Sequence, residues 1–185
     1  MSADLRSAPV PPLREDDHVR GPAGAPLVVL YADFACPKCA LAAHRLRDAP
    51  LRVVFRHFAL RAKHARAVPV ARAAEAAARQ GAFWAMHDAL YGDQGRLDDP
   101  HLWARCEALG LDLDRFESDR RSQEVAARVA RDVRDALRAG ATATPTAYVF
   151  EPGSAATMAK FGIRDARDAG PPTDGWVRKG KPYEQ

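Results

Sequence analysis

The chain has few cysteines and no long apolar run, and both absences narrow the classes of protein to which it can belong. No run of 18 or more apolar residues occurs in the 185 residues, so we predict no membrane-spanning segment. The first residues lack the apolar core of a signal peptide, which favours a cytoplasmic location. The net charge is only +4 and the arginines alternate with acids along helical stretches, so we predict no nucleic-acid partner.

The three cysteines are the scarce residues that carry chemistry. Cys36 and Cys39 form a C-x-x-C motif directly after a strand-like run at 27–34, and Cys106 is left over as a predicted buried thiol. At this spacing two thiols on the first turn of a helix can close a disulfide with little backbone movement. Unpaired N–H groups and the helix dipole favour a thiolate at the first position. Because a thiolate is the species that attacks disulfides, the motif points to thiol exchange.

Two other interpretations of the pair remain open from the residues alone. The pair could be half of a zinc site, but zinc takes four ligands and the sequence has no second C-x-x-C. It could also be an inert pair of thiols. We favour redox chemistry, in which Cys36 attacks and Cys39 resolves, and we predict no metal ion and no organic cofactor.

The order of predicted elements indicates an α/β fold. A strand at 27–34, a helix at 37–47 and a second strand at 51–58 form a βαβ unit with parallel strands. Helices predicted at 69–80, 82–91, 98–110, 112–119 and 122–139 follow, each bounded by a capping residue or a glycine. A further strand at 146–150 comes after Thr144-Pro145, and glycine and proline interrupt the pattern beyond it. We see no internal repeats.

Five stretches in this order resemble the DsbA-like branch of the thioredoxin superfamily, and especially the thioredoxin-like domain attached to some NhaA-type sodium/proton antiporters. They span about 18–150 and comprise Asp33-Phe34-Ala35-Cys36-Pro37-Lys38-Cys39, Phe55-Arg56-His57-Phe58, Gly81-Ala82-Phe83-Trp84-Ala85-Met86-His87-Asp88, Leu109-Gly110-Leu111-Asp112 and Thr144-Pro145-Thr146.

The resemblance implies a thioredoxin-like fold with an α-helical insertion over the active site. We therefore divide the chain into a disordered segment at 1–17, a first thioredoxin-like part at 18–64, the helical insertion at 65–140, a second part at 141–163 and an irregular tail at 164–185. The family pattern of a closing strand and helix is atypical or missing here, with 161–163 as a remnant strand. The resemblance also implies a cis peptide bond at Thr144-Pro145 that faces the sulfurs and pairs with extended substrates.

Four residues are candidates for tuning the thiols. The Lys38 ammonium should lower the pKa of the nucleophile and the Asp33 carboxylate should oppose it, while Pro37 suits the first helical turn. His57 lies at the end of the second strand, at the sheet edge where Cys36 emerges, and could shuttle protons; such a residue is more often a packed, hydrogen-bonded histidine.

These expectations describe a protein-disulfide oxidoreductase of DsbA-like type. Its partners would be proteins or small molecules that carry disulfides or dithiols, and a redox protein that recycles it. Two alternatives remain open: a glutathione-linked enzyme on the same scaffold, and a non-catalytic module that binds an extended peptide or partner.

Overall fold

The computed structural model describes residues 8–150 and the backbone of a short strand at 164–165. Within these residues lie strands and helices in the following order: β1 (His18–Arg20), β2 (Leu27–Ala32), α1 (Pro37–Leu46), β3 (Arg52–His57), α2 (Ala67–Ala78), α3 (Phe83–Gly92), α4 (Asp99–Ala108), α5 (Leu113–Arg121), α6 (Gln123–Arg138), β4 (Thr146–Val149) and β5 (Arg164–Asp165).

The strands form one sheet in the order β1-β3-β2-β4-β5. Strands β2 and β3 are parallel, and α1 connects them in the sequence, which confirms the predicted βαβ unit. Strand β4 is antiparallel to β2, with Tyr31 opposite Thr146. All six residues of β2 are buried, as expected for a strand covered on both faces.

The sheet has a hydrophobic core on each face because side chains along β2 alternate in direction. Val28, Leu30 and Ala32 pack with buried residues of α1 and of the helices that follow β3. Leu27, Val29 and Tyr31 face the other way and pack with residues of α6 and of the N-terminal segment. Five helices, α2 to α6, lie between β3 and β4, and the fold is the expected thioredoxin-like fold with a helical insertion.

Local sequence explains the helix boundaries. Asp112 and Ser122 each precede a helix and accept a backbone N–H from its first turn, as predicted, and of the two candidate caps Asp98 and Asp99 it is Asp98 that does so for α4. The turn between β1 and β2 needs a glycine at Gly21, because its φ is +108° and a Cβ there would lie 2.1 Å from the carbonyl oxygen of Leu51.

The N-terminal segment differs from the expectation of disorder. In its described part, 8–17, Val10 is fully buried in the second core. The Arg56 guanidinium donates hydrogen bonds to the carbonyl oxygens of Pro11 and Pro12 and to the Asp17 carboxylate. A buried cation on β3 therefore holds this segment against the sheet.

The C-terminal part of the chain contributes a short strand to the sheet. The backbone at Arg164–Asp165 forms β5, parallel to β4, so these two residues are a strand where we predicted irregular tail. The remnant strand expected at 161–163 and the missing closing helix lie outside the described residues.

Candidate active site

The two cysteines of the motif lie at the start of α1, immediately beyond the end of β2. Cys36 is the N-cap residue, in an extended conformation, and Pro37 occupies the first helical turn. The N–H groups of Cys39 and Ala40 donate to the carbonyl oxygen of Cys36. Cys36 is 6% exposed and Cys39 is 1% exposed, and both are free thiols. The first sulfur is therefore at the helix terminus that favours negative charge, as predicted.

The Thr144-Pro145 loop lies against the nucleophile candidate. The peptide bond between these residues is cis, as the family resemblance implied. The Cys36 sulfur lies 3.6 Å from the carbonyl oxygen of Thr144. The pairing register of β2 and β4 explains why the loop lies close to the sulfur. Strand β4 begins opposite the carboxyl end of β2, and the chain leaves that end of β2 to enter the C-x-x-C motif. The fold thus brings together two sequence features that are 108 residues apart.

The two thiols differ strongly in acidity. The pKa of Cys36 falls from 9.0 to about 5, chiefly because the Cys39 thiol donates a hydrogen bond to its sulfur. A hydrogen bond from the Thr144 side chain and the backbone N–H groups of Lys38 and Cys39 lower the pKa further, whereas burial of the thiol raises it. Burial and the neighbouring Cys36 raise the pKa of Cys39. Burial also raises the pKa of Cys106 to about 11, and this thiol is fully buried as predicted. Only Cys36 is thus a thiolate near neutral pH.

Lys38 and Pro37 are both exposed at the surface of the motif. We predicted that the Lys38 ammonium lowers the pKa of Cys36. The main contribution of Lys38 comes instead from its backbone N–H, which points to the sulfur at the helix terminus. The identity of the side chain at this position therefore matters less to the Cys36 pKa than its place in the first turn.

Asp33 is buried beneath the motif and organises the loop that leads into it. Its carboxylate accepts hydrogen bonds from the N–H groups of Ala35 and Leu60, and its own N–H contacts the Cys39 sulfur at 3.5 Å. Burial raises the pKa of the carboxyl group, and the charge on Cys36 raises it further. Because the interaction between two like charges is mutual, the opposing effect of Asp33 on the Cys36 thiolate stays a prediction.

His57 is buried and its Nε2 lies 2.7 Å from Oε1 of Glu75 on α2. This contact corresponds to the packed, hydrogen-bonded histidine rather than to a proton shuttle at the sulfurs. Although burial raises the pKa of Glu75, hydrogen bonds from His18 and His57 bring it well below its usual range. His18, His57 and Glu75 have ligand atoms within 4.8 Å of one another, so they are a set that could hold a metal ion.

Gln94 and Tyr91 are site residues that the sequence analysis missed. The Gln94 side-chain amide donates to the carbonyl oxygens of Phe34 at 2.6 Å and Cys36 at 3.1 Å, and so it fixes the backbone on both sides of the loop. The Tyr91 hydroxyl is buried with no hydrogen-bond partner among the described residues. Burial raises its pKa, and the charges of Cys39, Asp33 and Cys36 raise it further. Nothing in their local sequence singles out either residue, since both depend on how the insertion packs on the motif.

Comparison with known proteins places this arrangement in a family. A family model described as DSBA-like thioredoxin domain matches residues 27–162. A protein from Salinispora tropica named Na(+)/H(+) antiporter NhaA 3 is 42% identical over 178 residues, which cover 88% of this chain and 27% of that protein. Na(+)/H(+) antiporter NhaA 1 from Salinispora arenicola is 44% identical over 147 residues, which cover 76% of this chain and 22% of that protein. The chain thus spans about a quarter of the length of these relatives.

Solved structures share the fold. A thioredoxin-like oxidoreductase from Silicibacter pomeroyi superposes with a TM-score of 0.67 at 29% identity, over 75% of this chain and 82% of that one. DsbA2 from Pseudomonas aeruginosa has a TM-score of 0.58 at 27% identity, over 74% of this chain and 81% of that one. In the described part of the chain, no helix has both the length and the apolar character that crossing a bilayer requires.

Proposed function

The chain belongs to the family of DSBA-like thioredoxin domains, and on that premise we propose that it is a thiol–disulfide oxidoreductase whose redox couple is Cys36 and Cys39. Its substrates are proteins or small molecules that carry disulfides or dithiols, and a separate redox partner restores the couple after each turnover. The antiporter names belong to proteins of which this chain matches about a quarter, and ion transport is not part of the proposal.

The observation that carries the proposal is the asymmetry between the two thiols. Cys36 has a pKa of about 5 and sits against the cis-proline loop, whereas burial keeps Cys39 protonated. Cys36 is thus the thiolate that attacks, and Cys39 stays a protonated thiol until the resolving step. An inert thiol pair has no need for a stabilised thiolate, and this distinguishes the redox interpretation from that alternative.

The first step is attack by the Cys36 thiolate on one sulfur of a substrate disulfide. The substrate S–S bond breaks, a mixed disulfide forms between Cys36 and the substrate, and the second substrate sulfur leaves as a thiolate that takes a proton from solvent. The Thr144-Pro145 loop is suited to hold an extended substrate segment, because strand addition at this loop would place the substrate sulfur next to Cys36.

The second step is attack by Cys39 on the Cys36 sulfur of the mixed disulfide. Cys39 loses its proton to solvent, the mixed disulfide breaks, and the remaining substrate thiolate is released and protonated. The substrate has then gained two electrons and two protons, and the couple has become an intramolecular disulfide. The same steps in reverse oxidise a substrate dithiol, so the reduction potential of the couple sets the direction.

The test is thiol exchange with a protein disulfide such as that of insulin, measured for the full chain and three variants. Cys36→Ser should abolish exchange, and Cys39→Ser should accumulate the mixed disulfide because the resolving step is lost. Cys106→Ser is the matched control and should keep the wild-type rate, since this thiol is fully buried with a pKa of about 11.

The outcomes separate the proposal from its two rivals. Exchange that survives Cys36→Ser would overturn the assignment. Activity that requires bound glutathione and only Cys36 would favour a glutathione-linked enzyme. Peptide binding that persists in the Cys36→Ser/Cys39→Ser chain, with no exchange by the wild type, would favour a non-catalytic binding module.

A further inference from the structure

A second cluster of reactive side chains lies apart from the thiols, between the sheet and the first helix of the insertion. Glu75 Oε1 lies 2.8 Å from Nε2 of His18 and 2.7 Å from Nε2 of His57. The His18 side chain is 13% exposed, that of His57 is 1% exposed and that of Glu75 is 8% exposed. Two imidazoles and one carboxylate thus converge at a site that is nearly closed to solvent.

The fold fixes the positions of all three donors. His18 on β1 is opposite Phe55 on β3, so His57, two residues further along β3, projects from the same face of the sheet. His18 stacks on the Phe83 ring, with 3.4 Å between ring centroids and an interplanar angle of 7°, which holds its imidazole plane. Glu75 is the one carboxylate of α2, in a stretch otherwise rich in alanine, and it projects from the buried face of that helix.

A cavity of about 590 Å³ opens onto the cluster and is lined by His18 and Glu75 themselves. Its lining contains five carboxylates and two arginines, and two further arginines, Arg56 and Arg131, bind Asp17 and Asp16, so the charge around the cavity is negative by a small margin. Arg128 is the nearest of these arginines, with Nε 3.8 Å from Glu75 Oε1, and its guanidinium is also held by Asp16 and Asp132. A cation therefore has an entrance to the cluster, and its binding would depend on the three donors more than on the charge of the cavity.

We propose that His18, His57 and Glu75 bind a divalent transition-metal ion, with zinc as the representative ion. Two imidazole nitrogens and one carboxylate oxygen are a ligand set that zinc takes when a fourth position stays open, and imidazole favours transition metals over magnesium or calcium. Zinc bonds of about 2.0–2.2 Å place tetrahedral donors about 3.3 Å apart. Each histidine nitrogen therefore needs to move only about half an ångström away from Glu75 Oε1, and all three donors already lie within 4.8 Å of one another. A water from the cavity would complete the set.

The geometry also explains why this particular carboxylate would be a ligand. Two histidines share one oxygen of Glu75, so a single ion placed among them replaces two hydrogen bonds by three metal bonds. The ion would join β1, β3 and α2, and so connect the sheet to the insertion. The competing account is a purely hydrogen-bonded cluster, which binds no metal.

The experiment measures zinc binding to the full chain carrying Cys36→Ser and Cys39→Ser, because the thiol pair would otherwise bind zinc itself. Competition with a chromophoric zinc chelator gives the stoichiometry and affinity. We expect one zinc ion per chain. Glu75→Gln and His18→Gln should each weaken binding by at least about 10–100-fold, the loss caused even by disturbing the outer sphere of a metal site. Glu124→Gln, at an exposed carboxylate of the same cavity, and His44→Gln, at an exposed histidine of α1, should leave the affinity unchanged.

X-ray absorption of the zinc-loaded chain keeps the proposal testable where a variant fails to fold. A first shell of nitrogen and oxygen that includes two imidazoles supports it. No stoichiometric zinc binding, affinity that is unchanged in folded Glu75→Gln and His18→Gln variants, or a shell without two imidazoles would each overturn it.

Discussion

Cys39 should control the acidity of Cys36 through one hydrogen bond, and a pair of substitutions can isolate that bond. The drop in the Cys36 pKa from 9.0 to about 5 corresponds to about 5 kcal/mol in favour of the thiolate, at about 1.36 kcal/mol per pH unit. The Cys39 thiol is the largest cause. Cys39→Ala removes the donor, whereas Cys39→Ser replaces it with a hydroxyl donor of similar size.

The expected size follows from the strength of hydrogen bonds to charged groups, which contribute about 1.5–3 kcal/mol. Cys39→Ala should therefore raise the Cys36 pKa by about 1–2 units, and Cys39→Ser should shift it by less than about half a unit. The assay is the pH dependence of Cys36 alkylation, followed by mass spectrometry. Cys106 does not interfere, because it is fully buried and its pKa is about 11.

Two results would refute this reasoning. An ordinary thiol pKa near about 8.5 in the wild type would show that the site does not stabilise the thiolate at all. Equal pKa values in the alanine and serine variants would show that the backbone at the helix terminus, rather than the Cys39 thiol, is responsible.

Three further perturbations have defined outcomes. In urea unfolding of the reduced chain, the difference in unfolding free energy between wild type and Cys36→Ser should grow by about 2 kcal/mol from pH 5 to 7. The reason is that a depressed pKa in the folded state adds stability, which is lost as the pH falls towards about 5. A free-energy difference that does not change with pH would contradict the lowered pKa. Gln94→Ala should slow thiol exchange and destabilise the chain by about 1–2 kcal/mol, since two carbonyl groups lose their donor; wild-type kinetics in a folded Gln94→Ala variant would rule out positioning. Arg56→Leu should cost about 3–5 kcal/mol in chemical denaturation, because the buried Asp17 carboxylate loses the guanidinium bonded to it and keeps only the Arg14 N–H and the more distant Arg128. Arg56→Leu/Asp17→Leu should recover only part of that loss, since the carbonyl groups of Pro11 and Pro12 also lose their donor.

The parts of the fold set by local patterns could be predicted from the sequence. The βαβ unit follows from two apolar runs around a helix that starts at Pro37, and the later helices follow from side-chain caps at Asp98, Asp112 and Ser122. Strand β1 could not be predicted, because three residues at a sheet edge depend on their pairing with β3. The order of 8–17 was also missed, since it rests on Arg56, a charge inside a run that otherwise predicts only a buried strand.

The residues of the candidate site likewise fall into those that the sequence could identify and those that only the folded chain brings together. The spacing of Cys36 and Cys39 is local, and the family resemblance supplied the cis-proline loop that the structure brings to the Cys36 sulfur. Gln94 comes from the insertion and meets the motif only in the folded chain, so no spacing rule finds it. The sequence also could not reveal that Lys38 acts on the acidity of Cys36 through its backbone N–H rather than through its ammonium group, or that the Cys39 thiol is the largest cause.

The most direct test of the central claim is a glutathione redox titration of the Cys36–Cys39 pair, read by mass after alkylation, in a chain that carries Cys106→Ser. The account predicts a reversible intramolecular disulfide. Because the stabilised thiolate favours the reduced form, the potential should be less negative than the roughly −270 mV of thioredoxin. A potential at or below that value would contradict the role assigned to the thiolate, and the absence of an intramolecular disulfide at every glutathione ratio would contradict the redox couple itself.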